Sequence, residues 1–172
     1  MTNTITAAEV IERFKTGQTD FHDLGRCLVT GEVRIDEIVQ EVVFIDFGDL
    51  IFEDNVMLLS AAQPISLWFR NAEFQGDFTL GDHNCEHLFN IQFGFSNFKK
   101  ELILSAPIGG VHLGTMQVGK LHCLRSDFSH AMIYAANRPD IAWVLQQMQL
   151  SCIQYEIEHA PPWMQKSPVV QS

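Results

Sequence analysis

The chain has 172 residues, and 47% of them are hydrophobic, which is enough apolar material for the core of one domain. Its formal net charge of −10, from 21 acidic and 11 basic residues, argues against direct binding to nucleic-acid phosphates. Four cysteines lie far apart without a Cys-x-x-Cys spacing, which argues against a disulfide framework or a zinc knuckle. Neither a membrane-spanning apolar run nor a signal peptide is evident, so we expect a cytoplasmic protein without membrane contact.

The first predicted element is a helix near residues 7–16. Thr6 and Glu9 have the Thr-x-x-Glu spacing of a capping box, in which each side chain accepts a hydrogen bond from a backbone N–H group at the helix start. Apolar residues at helical spacing follow, and Gly17 supplies a C-terminal stop. We expect residues 1–17 to form a helical cap over one open end of the domain.

The middle of the chain, residues 18–134, contains an internal repeat of roughly 22 residues. Five copies start at spacings of 23, 22, 24 and 20 residues, and each has further positions 5, 9 and 11 residues after its start. The first residues of the copies are Leu24, Phe47, Phe69, Phe93 and Leu113. In these four columns 19 of 20 residues are apolar, and the exception is His122 in the last copy. This regularity indicates that the same columns face inward in every copy.

A repeat of this length is one small unit that cannot bury its apolar face alone, so the copies must stack. The inward steps of four and five residues are too long for a flat strand and too irregular for a helix, whereas the final step of two suits a strand. The pattern predicts a mainly β fold, a single-stranded β-solenoid of about five coils that forms one structural domain. A β-sandwich with evenly spaced strands is the alternative.

Residues 135–172 are predicted to form a C-terminal helix and a loose tail. Pro139 suits the first turn of this helix. An apolar stripe follows at helical spacing: Ile141, Val144, Leu145, Met148, Cys152 and Tyr155. The helix either caps the second open end of the solenoid or forms a homodimer contact.

Three stretches of the sequence resemble the pentapeptide-repeat proteins. The stretch from Val10 to Phe21 resembles the opening of many of these proteins, where a short helix leads into the first coil. The stretches Phe69–Phe78 and Phe93–Phe98 resemble the repeat itself, with Ala72 and Ser96 as the small inward residues. The resemblance covers residues 7–133 and implies a right-handed, four-faced β-helix without enzymatic activity. Some acidic members of that family resemble duplex DNA and inhibit gyrase.

Two polar features are candidate sites. His83, Cys85 and His87 lie in a six-residue corner and offer imidazole and thiolate ligands to a transition metal, although the preferred interpretation is a polar turn, because corners collect polar residues and the spacing matches no standard site. Glu32, Asp77 and Glu101 occupy one column of the repeat, with Asn55 between the first two of them. Because column neighbours in stacked strands lie about 4.8 Å apart, this column predicts an acidic ladder on an outer face, which is either a solvated surface or a charge mimic.

Outward aromatic residues are candidates for an interaction surface. Trp68 and Phe95 fall outside the inner columns, and Trp143 lies in the predicted C-terminal helix. Our main hypothesis is a non-enzymatic protein–protein interaction or scaffold module without a cofactor, whose protein partner the sequence does not identify. The alternatives are an acidic DNA mimic that regulates a DNA-binding enzyme such as gyrase, a metal-dependent protein or enzyme that uses the 82–87 corner, and end-to-end self-assembly.

Overall fold

The structure, a computed structural model of the chain, describes residues 3–39, 41–82, 85–87, 89–113, 117–123 and 132–135. These residues form a mainly β fold with parallel strands, one α-helix (α1, Ala7–Lys15) and one short 3-10 helix (His22–Leu24). The strands are β1 (Asn3–Thr6), β2 (Cys27–Thr30), β3 (Val33–Ile35), β4 (Phe44–Asp46), β5 (Leu50–Phe52), β6 (Val56–Leu58), β7 (Ile65–Arg70), β8 (Glu73–Phe74), β9 (Phe78–Leu80), β10 (Phe89–Gly94), β11 (Asn97–Leu104), β12 (Ile108–Leu113), β13 (Gln117–Cys123) and β14 (Met132–Ala135). The mainly β prediction is confirmed. The predicted C-terminal helix and tail, including Trp143, lie outside the described residues.

The N-terminal helix and its capping box are confirmed. The Thr6 backbone N–H donates to Glu9 Oε2 at 2.7 Å, and the Glu9 backbone N–H donates to Thr6 Oγ1 at 3.3 Å. The helix buries Val10 and Phe14 in the core and lies against β3. Strand β1, which the sequence analysis did not predict, precedes the helix and pairs in parallel with β2. Among the described elements, no helix is both long enough and apolar enough to cross a bilayer.

Within the described ranges every strand pair is parallel, and the strands form two sheets. The five-stranded sheet has the order β14-β12-β10-β7-β4. The nine-stranded sheet has the order β1-β2-β5-β8-β11-β9-β6-β3, with β13 also paired to β11. The long strand β11 joins two runs of shorter strands in this second sheet, because its first residues pair with β8 and its last residues pair with β9. The described strands therefore form three parallel ladders.

The register confirms the repeat spacing that the sequence predicted. Along the ladder that runs from β2 through β5, β8 and β11 to β13, each strand pairs with the equivalent strand of the next copy. The paired residues are Cys27 with Leu50, Ile51 with Glu73, Glu73 with Asn97, and Asn97 with Gln117. The two residues of each pair are as many residues apart in the sequence as the predicted starts of their two copies. Residues at equivalent positions of successive copies are thus neighbours in a sheet.

Two columns of stacked phenylalanine rings fill the interior. The first consists of Phe21, Phe47, Phe69 and Phe93, with successive ring centroids 6.3, 4.9 and 5.4 Å apart. The second consists of Phe52, Phe74 and Phe98, with centroids 4.9 and 4.7 Å apart and rings within 3° of parallel. The prediction that Leu24 starts the first column is wrong. Phe21 occupies that place, because Leu24 belongs to the 3-10 helix and is only half-buried.

The register predicted for the last copy is also wrong by one residue. Strand β11 contains a β-bulge at Lys99 and Lys100, where two of its residues lie opposite one residue of β13. As a result Leu102 pairs with Leu121 and not with His122, and the pairs that follow are shifted likewise. The bulge therefore puts Leu121, and not the polar His122, in register with the inward residue Leu102.

Candidate functional site

The outer surface carries one unusually exposed aromatic side chain, Phe95. It is 71% exposed, and the other large hydrophobic residues classed as exposed in the described ranges are Val39 and Val43. Phe95 lies at the corner where the chain leaves β10 and enters β11. The structure thus places this residue on the surface, as the sequence analysis anticipated.

Phe95 has a left-handed backbone conformation, with a φ of 54°. Its register equivalent one copy earlier, Asn71, also has a positive φ, and in the two copies before that the residues with positive φ are Gly25 and Gly48, each one position earlier in the register. Glycine has no Cβ to clash, and asparagine tolerates the conformation through local hydrogen bonds of its side chain. For phenylalanine the left-handed region costs about 1–2 kcal/mol, so Phe95 is strained where its counterparts are not.

The residue after Phe95 is a buried serine. Ser96 is 2% exposed, and its hydroxyl has no hydrogen-bond partner among the residues that the structure describes. A buried hydroxyl without a partner costs about 1–3 kcal/mol, so the corner combines backbone strain with an unsatisfied polar group.

A groove of about 390 Å³ lies beside this corner and is lined by Arg26, Asp49, Asn71, Glu73, Phe95 and Ser96, among others. Glu73 is surrounded by cations, because Lys99 Nζ lies 2.6 Å and Arg26 Nη2 lies 3.8 Å from its carboxylate oxygens. The hydrogen bond from Lys99 lowers the pKa of Glu73 below its ordinary value. The negative charge of Glu73, which lines the groove, is therefore neutralised.

Asp49 has a different environment in the same groove. Asn71 Nδ2 donates to Asp49 Oδ1 at 3.0 Å, and His22 Nδ1 lies 4.0 Å from Asp49 Oδ2. In the described part of the chain neither a lysine nor an arginine forms an ion pair with Asp49. The groove thus has one carboxylate whose charge is not balanced by a direct basic contact.

The outer face of the five-stranded sheet leads directly into the corner and carries Trp68. This half-buried side chain contacts the Phe44 ring edge-on at 5.0 Å, and the Arg70 guanidinium lies 5.3 Å from its ring. Arg70 is paired in register with Gly94, the residue before Phe95. Trp68 and Phe95 therefore flank the same end of the sheet.

The sequence analysis missed a buried carboxylate on this face. Asp46 is 1% exposed, and it accepts hydrogen bonds from Arg70 Nη2 and, at 2.9 Å, from the Gly48 backbone N–H. The bond to Asp46 raises the pKa of Arg70. The signal that could have revealed the pair is an aspartate between Ile45 and Phe47, with an arginine about one repeat later.

The predicted acidic column is present as successive register positions, but its polar groups bind the main chain. Asn55 Oδ1 accepts a hydrogen bond from the Asp77 backbone N–H at 3.0 Å, and Asp77 Oδ1 accepts one from the Glu101 backbone N–H at 3.2 Å. Glu32 is exposed at the start of the column. These bonds between copies account for polar residues in the column without a partner molecule.

The structure describes only part of the candidate metal corner, because His83 lies outside the described residues. Cys85 Sγ is 3.7 Å from the His87 carbonyl oxygen, and burial raises the pKa of the Cys85 thiol. A protonated thiol is a poor metal ligand, since metals bind the thiolate. Within the described ranges, groups of three or more His, Cys, Asp or Glu side chains that could hold a metal ion are absent.

Comparison with known proteins places the chain in no recognised group. It matches no family model, no curated protein and no solved structure. What defines the protein is a mainly β chain of parallel strands, with an aromatic, strained corner at one end of its five-stranded sheet. The resemblance to pentapeptide-repeat proteins stays a prediction, and the function has to be argued from the residues of this chain.

Proposed function

We propose that the chain is a β-solenoid that acts as a non-enzymatic protein-interaction module, with the Phe95 corner in its contact surface. The register supports the solenoid, because strands in all three ladders pair in parallel with the strand about one repeat later. Successive copies that bury one another in this way form a rigid stack. Such a stack holds its outward side chains in fixed positions.

The observation that carries the functional proposal is the state of Phe95. The residue is 71% exposed and has a φ of 54°. Its ring therefore gains little from burial, and its backbone is strained. Strained residues persist where the surrounding structure holds them, and they cluster at functional sites. An exposed phenylalanine that a rigid corner holds in place is pre-organised to bury its ring against a partner.

The neighbouring face supports the same role. Tryptophan and arginine are enriched among the residues that dominate binding energy at protein interfaces, and this face presents Trp68 with Arg70 beside it. Gly94 adds no side chain between Arg70 and Phe95, and a Cβ at its position would lie 3.9 Å from Arg70 Cγ. Trp68 and Phe95 thus lie near the same end of the sheet, with Arg70 beside Trp68 and level with Gly94.

A tagged full-length chain should retain a protein partner from the lysate of its native organism, and a Phe95→Asn variant should not. Asparagine suits the left-handed conformation, as Asn71 does, so the variant keeps the corner and removes only the ring. Mass spectrometry of proteins captured at low and moderate salt would identify the partner.

Val43→Ser is the matched control, because Val43 is also an exposed apolar residue, at 61% exposure, and does not line the Phe95 groove. Its capture profile should equal that of the wild type. Equal capture by the wild type and the Phe95→Asn variant, or no capture by either, would contradict the proposal.

A further inference from the structure

We infer that the groove beside Phe95 binds a basic peptide segment, with a lysine or arginine side chain lying across the Phe95 ring and its cationic group at Asp49. This inference rests on the proposed interaction function and adds the chemical class of the partner. It follows from the charges and the aromatic ring of the groove.

The charges of the groove favour a cationic ligand. Lys99 and Arg26 already neutralise Glu73, whereas the contacts of Asp49 are the Asn71 amide and His22. Within the described ranges neither a lysine nor an arginine forms an ion pair with Asp49. The Asp49 carboxylate can therefore pair with a cation of the ligand.

The wider surroundings of Asp49 are also negative. Asp20, Asp46 and Asp49 all act electrostatically on Arg70, which is the cation of this cluster and donates its hydrogen bond to Asp46. With a net charge of −10 over the whole chain, the long-range field attracts basic partners and repels acidic ones.

The Phe95 ring defines the second contact. Lysine and arginine have long methylene stems that pack on apolar surface, and their cationic groups are attracted to the face of an aromatic ring. Phe95 offers such a surface at the rim of the groove.

The test is selection of a random dodecapeptide library displayed on phage against the immobilised full-length chain, after which the enriched clones are compared for binding to the wild type and to the Phe95→Asn variant. Enriched peptides should share a lysine or arginine. In a titration at low salt with one synthetic enriched peptide, Asp49→Asn should weaken binding about tenfold, because a charge-assisted contact is lost. Phe95→Asn should weaken it about fivefold through the loss of the cation–π contact.

Asp36→Asn is the matched control, because it removes the same charge from an exposed residue that does not line the groove. It should leave the affinity unchanged, while added salt should weaken binding of the wild type. Enrichment of acidic or purely apolar peptides that still require Phe95 would overturn the inference and leave the proposed interaction function intact. Failure to enrich any Phe95-dependent peptide would count against both.

Discussion

Phe74 and Phe95 have the same side chain in opposite surroundings. Phe74 is fully buried, with its ring stacked between those of Phe52 and Phe98 at 4.9 and 4.7 Å. Phe95 is 71% exposed, although it lies close to Phe98 in the sequence. The repeat explains the first residue, because every copy must place an apolar group at that column. It does not explain the second, because the outward corner needs only a residue that tolerates a left-handed backbone.

The corner of the earlier copies shows what the fold alone requires. Gly25 and Gly48, with φ values of 59° and 51°, lie one register position before the equivalent of Phe95, and Asn71, with a φ of 56°, is its equivalent one copy earlier; glycine and asparagine both adopt positive φ readily. Phe95 keeps the geometry and changes the side chain. The residues of the inner columns are therefore explained by folding, whereas the phenylalanine at the corner needs a further explanation.

The largest expected effect comes from deletions that keep or break the register. Because Glu73 and Asn97 are paired, removal of residues 73–96 joins equivalent positions and leaves the inner columns aligned, although both Phe74 and Phe95 are lost. We expect this variant to keep a β-rich circular dichroism spectrum and a cooperative thermal transition. Removal of residues 73–84 alone should abolish the transition, because inner and outer positions are mixed. Equal behaviour of the two variants would contradict the stacked-copy architecture.

Truncation of the two phenylalanines tests the comparison directly. Phe74→Ala should lower the free energy of unfolding by about 3–5 kcal/mol, because it leaves a cavity between two stacked rings. Phe95→Ala should change it by no more than about 0.5 kcal/mol, as for other surface substitutions. Urea denaturation followed by circular dichroism measures both. A large loss in the Phe95 variant would mean that its ring stabilises the fold.

The next effect concerns the outer face that leads to the corner. Arg70→Ala should lower the free energy of unfolding by about 2 kcal/mol, because the buried Asp46 carboxylate loses a charge-assisted hydrogen bond. Arg34→Ala is the control, since Arg34 pairs with Asp36 on an exposed surface and should cost less than about 0.5 kcal/mol. Equal costs in the same denaturation assay would show that Asp46 does not depend on Arg70.

Much of the architecture could be predicted from the repeat because inward columns must be apolar in every copy, and the register reproduces the predicted spacings. The exceptions arise where a local feature overrides the period. The bulge at Lys99 and Lys100 shifts the last copy, and the sign of it in the hydrophobic pattern is the polar His122 at a predicted inward position. Phe21 replaces Leu24 in the first column because the chain turns through a 3-10 helix there.

The candidate site was less predictable than the core. The outward position of Phe95 follows from its place between columns, but its left-handed backbone is visible only in the structure. Asp46 was missed because its sign in the sequence, an arginine about one repeat later, lies outside the apolar columns that define the repeat. The order of residues along one copy predicts which of them face inward. It does not predict which outward residues of adjacent copies meet.

The smallest expected effect is an increase in the free energy of unfolding, whereas the truncations above lower it. Phe95→Asn should raise the free energy of unfolding by about 0.5–1 kcal/mol, because it relieves the strain of a left-handed phenylalanine. The reverse change, Asn71→Phe, should lower it, because it adds the same strain one copy earlier and removes the hydrogen bond to Asp49. Thermal and urea unfolding of both variants would measure these changes. If Phe95→Asn proved less stable than the wild type, the ring would contribute to the fold, and the strain at this corner would no longer be an argument for binding. If it proved more stable and lost its partner, the chain would have retained a destabilising residue that serves recognition.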